Sequence, residues 1–111
     1  MNYNNKRFRV YENSENGETT TETIFEYKQN GKILTSEYSG GQIVRGHLIG
    51  LVDDNGKIEM SYHQINTKGE LMTGICFSEP ELTDNGKIKL YEHWEWTSGD
   101  KSSGKSVLIE I

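Results

Sequence analysis

Hydrophobic and polar residues alternate along most of the chain, in short segments rich in β-branched and aromatic side chains. Alternation with a period of two is typical of β-strands that bury one face, and no long stretch keeps the spacing of an amphipathic helix. The pattern therefore predicts an all-β chain. Eight strands are predicted, near residues 6–12, 22–29, 32–38, 42–53, 57–65, 70–78, 87–97 and 105–111.

Repeated turn sequences connect these segments. Asn30-Gly31, Asn55-Gly56 and Asn85-Gly86 are each followed by Lys and Ile, and Asn-Gly suits the two positive-φ positions of a type I′ hairpin turn. Gly40-Gly41 is predicted to form a similar two-residue turn, and residues 66–69 a four-residue loop. Consecutive strands are thus predicted to pair as antiparallel hairpins.

The length of each turn decides which side chains share a face, because a slip of one residue inverts every side chain beyond it. Followed through the five turns, this register predicts one charged, solvated face and one apolar core face. The solvated face carries Glu26, Lys28, Glu37, Lys57, Glu59, Glu70, Lys87, Lys89, His93 and Glu95. The core face carries Phe25, Tyr27, Leu34, Tyr38, Ile43, Ile49, Leu51, Ile58, Met60, Tyr62, Leu71, Ile75, Phe77, Ile88, Leu90, Trp94 and Trp96.

A long antiparallel meander with one apolar face must fold over as a sandwich or close on itself, and closure also removes the exposed strand edges. We therefore predict a single domain, residues 1–111, that forms an up-and-down meander barrel of about eight strands. A β-sandwich or a partly open barrel is the alternative. A barrel of this size is either filled by its own side chains or holds one small ligand.

Strand 42–53 is unusual because its predicted outer face is apolar as well. That face carries Val44, Gly46, Leu48, Gly50 and Val52, and an exposed apolar patch usually marks a contact surface. Three explanations stay open: Phe8 and Val10 cover it, a second copy of the chain covers it, or the two glycines admit a neighbour's backbone. A homodimer through this face is therefore one hypothesis.

The predicted core face also holds more polarity than a solid core tolerates, since a buried charge without a partner is expensive. Two interpretations stay open: an internal network in which Arg45 pairs with Glu92, or a ligand cavity with aromatic walls and a few directional contacts. The candidate ligand-binding residues are Tyr38, Arg45, His47, Tyr62, Gln64, Glu92, Trp94 and Trp96. Glu92, whose pKa would rise in dry surroundings, and His47 are the candidate catalytic residues.

Other motifs are better explained by structure than by chemistry. Residues 99–106 match the phosphate-loop pattern G-x-x-x-x-G-K-[ST], but a predicted strand follows them where that motif requires a helix. The register places His47 on the opposite face from His63 and His93, and Cys76 on the outer face, so no metal site is predicted. No cofactor is expected.

Composition narrows the function further. The chain has 111 residues, 32% of them hydrophobic, with 17 acidic residues against 12 Lys and Arg and a single Cys. The net charge of −5 argues against nucleic-acid binding, which needs a basic surface. The single Cys allows no internal disulfide, and no apolar segment suits a membrane span or a signal peptide, so a cytoplasmic location is expected.

Three stretches carry a family resemblance: YSGGQIVRGHLIGLV, SYHQINTKGELMTG and LYEHWEWTSGDKSSGKS. Together they resemble short bacterial proteins commonly named N-acetylglutamate synthase, over about residues 22–111, with Glu92, Trp94, Trp96 and residues 97–100 as the most specific part. That resemblance implies acetyl transfer from acetyl-CoA to glutamate. The predicted barrel instead resembles lipocalin and avidin containers. Three hypotheses follow. The protein is a small-ligand-binding barrel, an acetyltransferase or other small enzyme that uses Glu92 or His47, or an interaction or dimerisation module.

Overall fold

The computed structural model describes all 111 residues as one closed antiparallel barrel of eight strands. Each strand pairs with the next along the chain, and β8 pairs with β1, so the predicted up-and-down meander barrel is confirmed. The chain contains no apolar helix of membrane-spanning length. The strands are β1 (Lys6–Asn13), β2 (Ile24–Asn30), β3 (Ile33–Gly40), β4 (Ile43–Val52), β5 (Ile58–Asn66), β6 (Leu71–Leu82), β7 (Ile88–Trp96) and β8 (Ser103–Glu110).

Two hairpins have the predicted two-residue loops, each displaced by one residue. The loops are Gly31-Lys32, between the paired residues Asn30 and Ile33, and Gly41-Gln42, between Gly40 and Ile43. In both, the first loop residue is a glycine with a φ of 62°, the conformation that a type II′ turn requires. Displacing a two-residue loop by one residue leaves the inward face unchanged, so Tyr27, Leu34 and Tyr38 point inward as predicted.

The other three hairpins have three-residue loops, which corrects the predicted lengths of two, four and two. In each, the backbone N–H before the loop donates to the carbonyl after it, as from Asp53 to Lys57 at 2.9 Å. The last loop residue is Gly56, Gly69 or Gly86, with φ between 76° and 81°. Such a loop is a tight turn followed by a left-handed residue. An odd number of loop residues inverts the far strand relative to the predicted register.

A β-bulge in β4 adds a second inversion. Gly40 pairs with Ile43 but Tyr38 pairs with Gly46, so two residues of β4, Val44 and Arg45, lie opposite one residue of β3 and both point outward. Beyond the bulge, the predicted faces of β4 are exchanged. The inward residues are Gly46, Leu48, Gly50 and Val52, whereas Arg45, His47, Ile49 and Leu51 lie on the outer surface.

Each further inversion reverses the one before it. The strands β5 and β7 therefore turn the predicted face inward, whereas β6 turns the opposite face inward. Ile58, Met60, Ile88, Leu90, Trp94 and Trp96 are buried as predicted. On β6, however, Gly74, Cys76 and Ser78 point inward. The predicted core positions of Ile49, Leu51, Leu71, Ile75 and Phe77 are therefore wrong, and so is the outer position of Cys76.

The N-terminal residues belong to the core rather than to a cover over β4. Phe8 and Val10 point into the barrel from β1, and Tyr3 closes the end opposite the β1–β2 connection. The Tyr3 ring packs against Phe8 and Tyr27, with centroids 6.4 and 6.1 Å away, and its hydroxyl donates to the carbonyl of Gly56. This end of the interior is filled by side chains.

The register makes a direct prediction for two leucines on one strand. Leu48→Ala removes a side chain that is 2% exposed and should lower the free energy of unfolding by about 2–5 kcal/mol. Leu51→Ala changes a side chain that is 59% exposed and should alter it by about 0.5 kcal/mol or less. Urea unfolding followed by tryptophan fluorescence measures both, and the reverse order would show that β4 faces the other way.

Candidate functional site

The other end of the barrel contains a chamber with aromatic and polar walls. It lies where β1 ends and β2 begins, and we call this end the mouth. A cavity of about 50 Å³ is open there, which is room for a few water molecules. The strands supply Asn13, Phe25, Tyr38, Leu48, Met60, Tyr62, Gln64, Cys76, Glu92, Trp94, Trp96 and Ser106 to its walls, and the β1–β2 connection supplies Gly17, Glu18 and Thr19.

Six of the eight predicted ligand-binding residues meet in this chamber: Tyr38, Tyr62, Gln64, Glu92, Trp94 and Trp96. The predicted interior positions of Arg45 and His47 are wrong, because the β4 bulge turns both to the outer surface. The His47 ring there lies beside that of His63, with centroids 5.3 Å apart. Arg45 therefore forms no pair with Glu92.

Three of the aromatic rings pack against the backbone of inward-facing glycines on neighbouring strands. Tyr38 pairs with Gly46, which pairs in turn with Gln64 on the next strand. A Cβ on Gly46 would lie only 2.3 Å from the Tyr38 ring, so the ring rests on the bare backbone. The Tyr38 hydroxyl reaches across it and donates to Oε1 of Gln64 at 2.8 Å.

The same arrangement holds an indole ring and a second phenol. Trp94 lies over Gly104, and its Nε1–H donates to Oδ1 of Asn13 at 3.1 Å. Tyr62 lies over Gly74. These rings, with Trp96 between them, form a continuous aromatic wall, in which Trp96 is 5.6 Å from Trp94 and 5.7 Å from Tyr62 between ring centroids.

Glu92 supplies the most unusual polar group of the chamber. It pairs with Ser78 on one side and Ser106 on the other, and their hydroxyls donate to its two carboxylate oxygens at 2.8 and 3.0 Å. No Lys or Arg forms an ion pair with it, since the ion pairs are Lys6–Glu110 and Arg7–Glu26. Burial therefore raises the pKa of Glu92 despite the two serine hydrogen bonds, which favours the neutral carboxylic acid.

Burial also favours the protonated form of three other titratable groups on the strands of the chamber. It raises the pKa values of the Tyr38 and Tyr62 hydroxyls and of the Cys76 thiol. A thiol with a raised pKa is a poor nucleophile. The strands of the chamber thus present neutral hydrogen-bonding groups among aromatic rings.

Residues 14–23, which we call the cover segment, lie across the mouth. They contain only Ser, Glu, Asn, Gly and Thr, and they are attached by hydrogen bonds. The carbonyl of Asn16 accepts from Nε1–H of Trp96 at 3.1 Å, and the carboxylate of Glu18 accepts from Gln64 and Asn66 at 2.8 and 2.6 Å. Sequence reasoning missed Asn16, Glu18 and Asn66. For Asn16 and Glu18, the one available signal was the length of this connection, which exceeds the two to five residues typical of a hairpin loop.

A family model described as Avidin-like protein matches residues 1–111. The chain belongs to the avidin-like protein family. No curated protein and no solved structure gives a significant match to it. The avidin-like assignment confirms the resemblance to avidin-type containers that the meander pattern suggested. Nothing in it bears on the acetyl transfer implied by the other resemblance, which stays a prediction.

The phosphate-loop pattern has an ordinary structural role in this avidin-like chain. Residues 97–102 connect β7 to β8, and the second half of the motif is the start of strand β8. The strand pairs with β7 along this segment, as Lys105 does with His93. No helix follows whose N-terminal amides could hold a phosphate.

The buried carboxyl of this avidin-like barrel should make its stability depend on pH. A folded-state pKa above the ordinary 4.5 means that the folded chain holds its proton to higher pH than the unfolded chain does. The free energy of unfolding that this group contributes is fully present below pH 4.5 and is lost as the pH rises through the folded pKa. The loss is about 1.4 kcal/mol for each pH unit that separates the folded and unfolded pKa values.

Glu92→Gln should remove this loss, so the variant gains stability relative to the wild type as the pH is raised. Urea unfolding at a series of pH values measures the difference. Glu95→Gln, at an exposed position on the same strand, is the matched control and should leave the pH dependence unchanged. Equal pH slopes for wild type and Glu92→Gln would contradict the burial argument.

Proposed function

We propose that this protein binds a small molecule in the chamber at the mouth of the barrel. The observation that carries the proposal is the concentration of neutral polar groups on an aromatic wall at one end of an otherwise filled interior. Small-ligand sites are typically apolar and aromatic hollows with a few directional polar groups. Membership of the avidin-like family supports the same class of function.

The groups of the chamber suggest how a ligand would be oriented. Trp94, Trp96 and Tyr62 would contact its flat or aliphatic part. Gln64 would bind a polar group near the mouth, and Glu92, held between two serines, would bind one at depth. As a neutral acid, Glu92 can donate one hydrogen bond, whereas a carboxylate only accepts.

The cavity is too small for a ligand of ordinary size in the closed structure. Pockets for drug-sized ligands measure roughly 300–1,000 Å³, whereas about 50 Å³ is open here. The walls are strand residues, but the mouth is bounded by the cover segment, whose contacts are hydrogen bonds and not buried apolar surface. A ligand of ordinary size would therefore enter by displacing residues 14–23.

Nuclear magnetic resonance tests the proposal directly. The chain has two tryptophans, and both indole N–H groups lie in the chamber, so both indole signals report on it. Titration with a panel of small amides, ureas and carboxylic acids, including the avidin-type ligand biotin, should shift both signals saturably for at least one compound. The amide signals of Leu51 and Phe77, on the outer surface, are the internal control and should not move. A panel that leaves both indole signals unchanged would contradict the proposal.

The outer surface supports a second proposal, self-association. Apolar side chains on the outer surface of β3, β4 and β6 lie around one shallow hollow, with Glu59 and Ser61 of β5 between those of β4 and β6. The patch comprises Ile33, Ile49, Leu51, Ile75 and Phe77. A group of exposed apolar side chains on one surface often marks a contact surface. The homodimer through strand 42–53 is thus proposed again, but through Ile49 and Leu51 in place of the inward Leu48 and Val52.

Leu51→Lys should shift this equilibrium toward the monomer, because it places a charge in the centre of the patch. Sedimentation equilibrium over a range of concentrations measures the change. Leu82→Lys introduces the same charge at an exposed leucine outside the patch and should have no effect. A wild-type chain that stays monomeric at all concentrations would rule out the dimer.

A further inference from the structure

We propose that the cover segment closes the mouth with its own carboxylate, that of Glu18, and that the ligand is a carboxylic acid whose carboxylate takes the place of Glu18. This inference rests on the proposed function, because it identifies the chemical class of the ligand and the way in which the site is kept closed. The argument depends on how Gln64 and Asn66 hold Glu18.

Glu18 is held as a ligand carboxylate would be. Nε2 of Gln64 donates to one of its oxygens at 2.8 Å and Nδ2 of Asn66 donates to the other at 2.6 Å. Both amide side chains are buried, with 3% and 4% of their surface exposed. Two buried donors aimed at the two oxygens of one carboxylate form a specific recognition site for that group.

The donors point to this position for reasons independent of Glu18. Oε1 of Gln64 accepts from the Tyr38 hydroxyl at 2.8 Å, and Oδ1 of Asn66 accepts from the backbone N–H groups of Lys68 and Glu70, both at 3.0 Å. With their oxygens engaged, both amides must present their NH₂ groups toward the mouth. Departure of Glu18 would leave the buried Nε2–H of Gln64 without an acceptor and Asn66 with the carboxylate of Glu70 alone. An unpaired buried donor is costly unless another acceptor arrives.

The contacts that hold the cover segment over the mouth are weak enough for a ligand to displace Glu18. No residue of the cover segment is apolar, and a hydrogen bond contributes only about 0.5–1.5 kcal/mol net. Nδ2 of Asn66 also donates to the carboxylate of Glu70 at 2.9 Å, so two carboxylates converge on one amide. No Lys or Arg forms an ion pair with either of them. Their repulsion favours release of Glu18.

The same repulsion acts on a carboxylate that replaces Glu18, so the affinity for the ligand must come from its body. Phe25, Leu48, Met60 and Trp96 line the same cavity as Gln64. The site therefore suits a carboxylic acid with an apolar body, anchored by Gln64 and Asn66 and buried against the aromatic wall.

The test compares hexanoate with its neutral analogue hexanamide, using the indole signals of Trp94 and Trp96 as the readout. Glu18→Ala removes the internal competitor and should tighten hexanoate binding about tenfold or more, as expected when the open state of the wild type is populated at roughly 10% or less. Glu22→Ala removes one negative charge from the same segment at an exposed position and should leave the affinity unchanged.

A second variant tests the amide. Adding Gln64→Met to the Glu18→Ala chain should weaken hexanoate binding about tenfold while hexanamide binding changes little. Equal hexanoate affinity in wild type and Glu18→Ala would overturn the inference. So would equal binding of hexanoate and hexanamide to Glu18→Ala, although the proposed function would then stand. If no compound of any class shifts the indole signals in any variant, both fail.

Discussion

Closure is the constraint on which the rest of this structure depends. A closed barrel requires all eight strands to turn the same face inward, and only every second residue can enter an interior of limited width. The loops and two β-bulges, one in β4 and one in β1 between Val10 and Glu12, adjust the strands to meet that requirement. Because the interior is narrow, several large rings lie where a neighbouring strand offers no side chain, as Tyr38 does over Gly46 and Trp94 over Gly104. The aromatic wall of the chamber is therefore built jointly by the rings and by the glycines beneath them.

The same interior has two unlike ends. Tyr3, Phe8 and Tyr27 close one end with packed rings, where dispersion and the burial of apolar surface stabilise the fold. At the mouth, Glu92 sits among serines without a cation, and hydrogen bonds to the cover segment replace apolar packing. Such an end contributes less to stability, and opening it costs less free energy than opening the packed end. A binding site in this barrel is accordingly expected at the mouth, where the interior has the least apolar packing and the most polar groups.

Alternation and turn residues were sufficient to predict the eight strands, their antiparallel order and the barrel. Loop length was not predictable from Asn-Gly alone, because Asn55-Gly56 ends a three-residue loop whereas Gly31 begins a two-residue loop. The bulge at Val44 and Arg45 has no distinct sequence signal. These local features inverted β4 and β6, which misplaced Arg45, His47, Ile49 and Phe77 but left β5 and β7, and with them Gln64, Glu92 and both tryptophans, correctly oriented. Glu18 could not be found by periodicity, since it acts from a polar loop through contacts with residues far along the chain.

The pairing of β1 with β8 also determines the order in which the barrel can form. Phe8 pairs with Glu110, so this seam joins residues about as far apart along the chain as the barrel allows, and such non-local contacts form slowly because their loop-closure entropy must be overcome first. During synthesis β8 is the last of the eight strands to be made. Until it is available, one edge of β1 and one edge of β7 stay unpaired and can pair with another chain. The newly made chain therefore passes through an open sheet that can associate with other chains. Pairing of β8 with β1 and β7 closes the barrel and removes both unpaired edges.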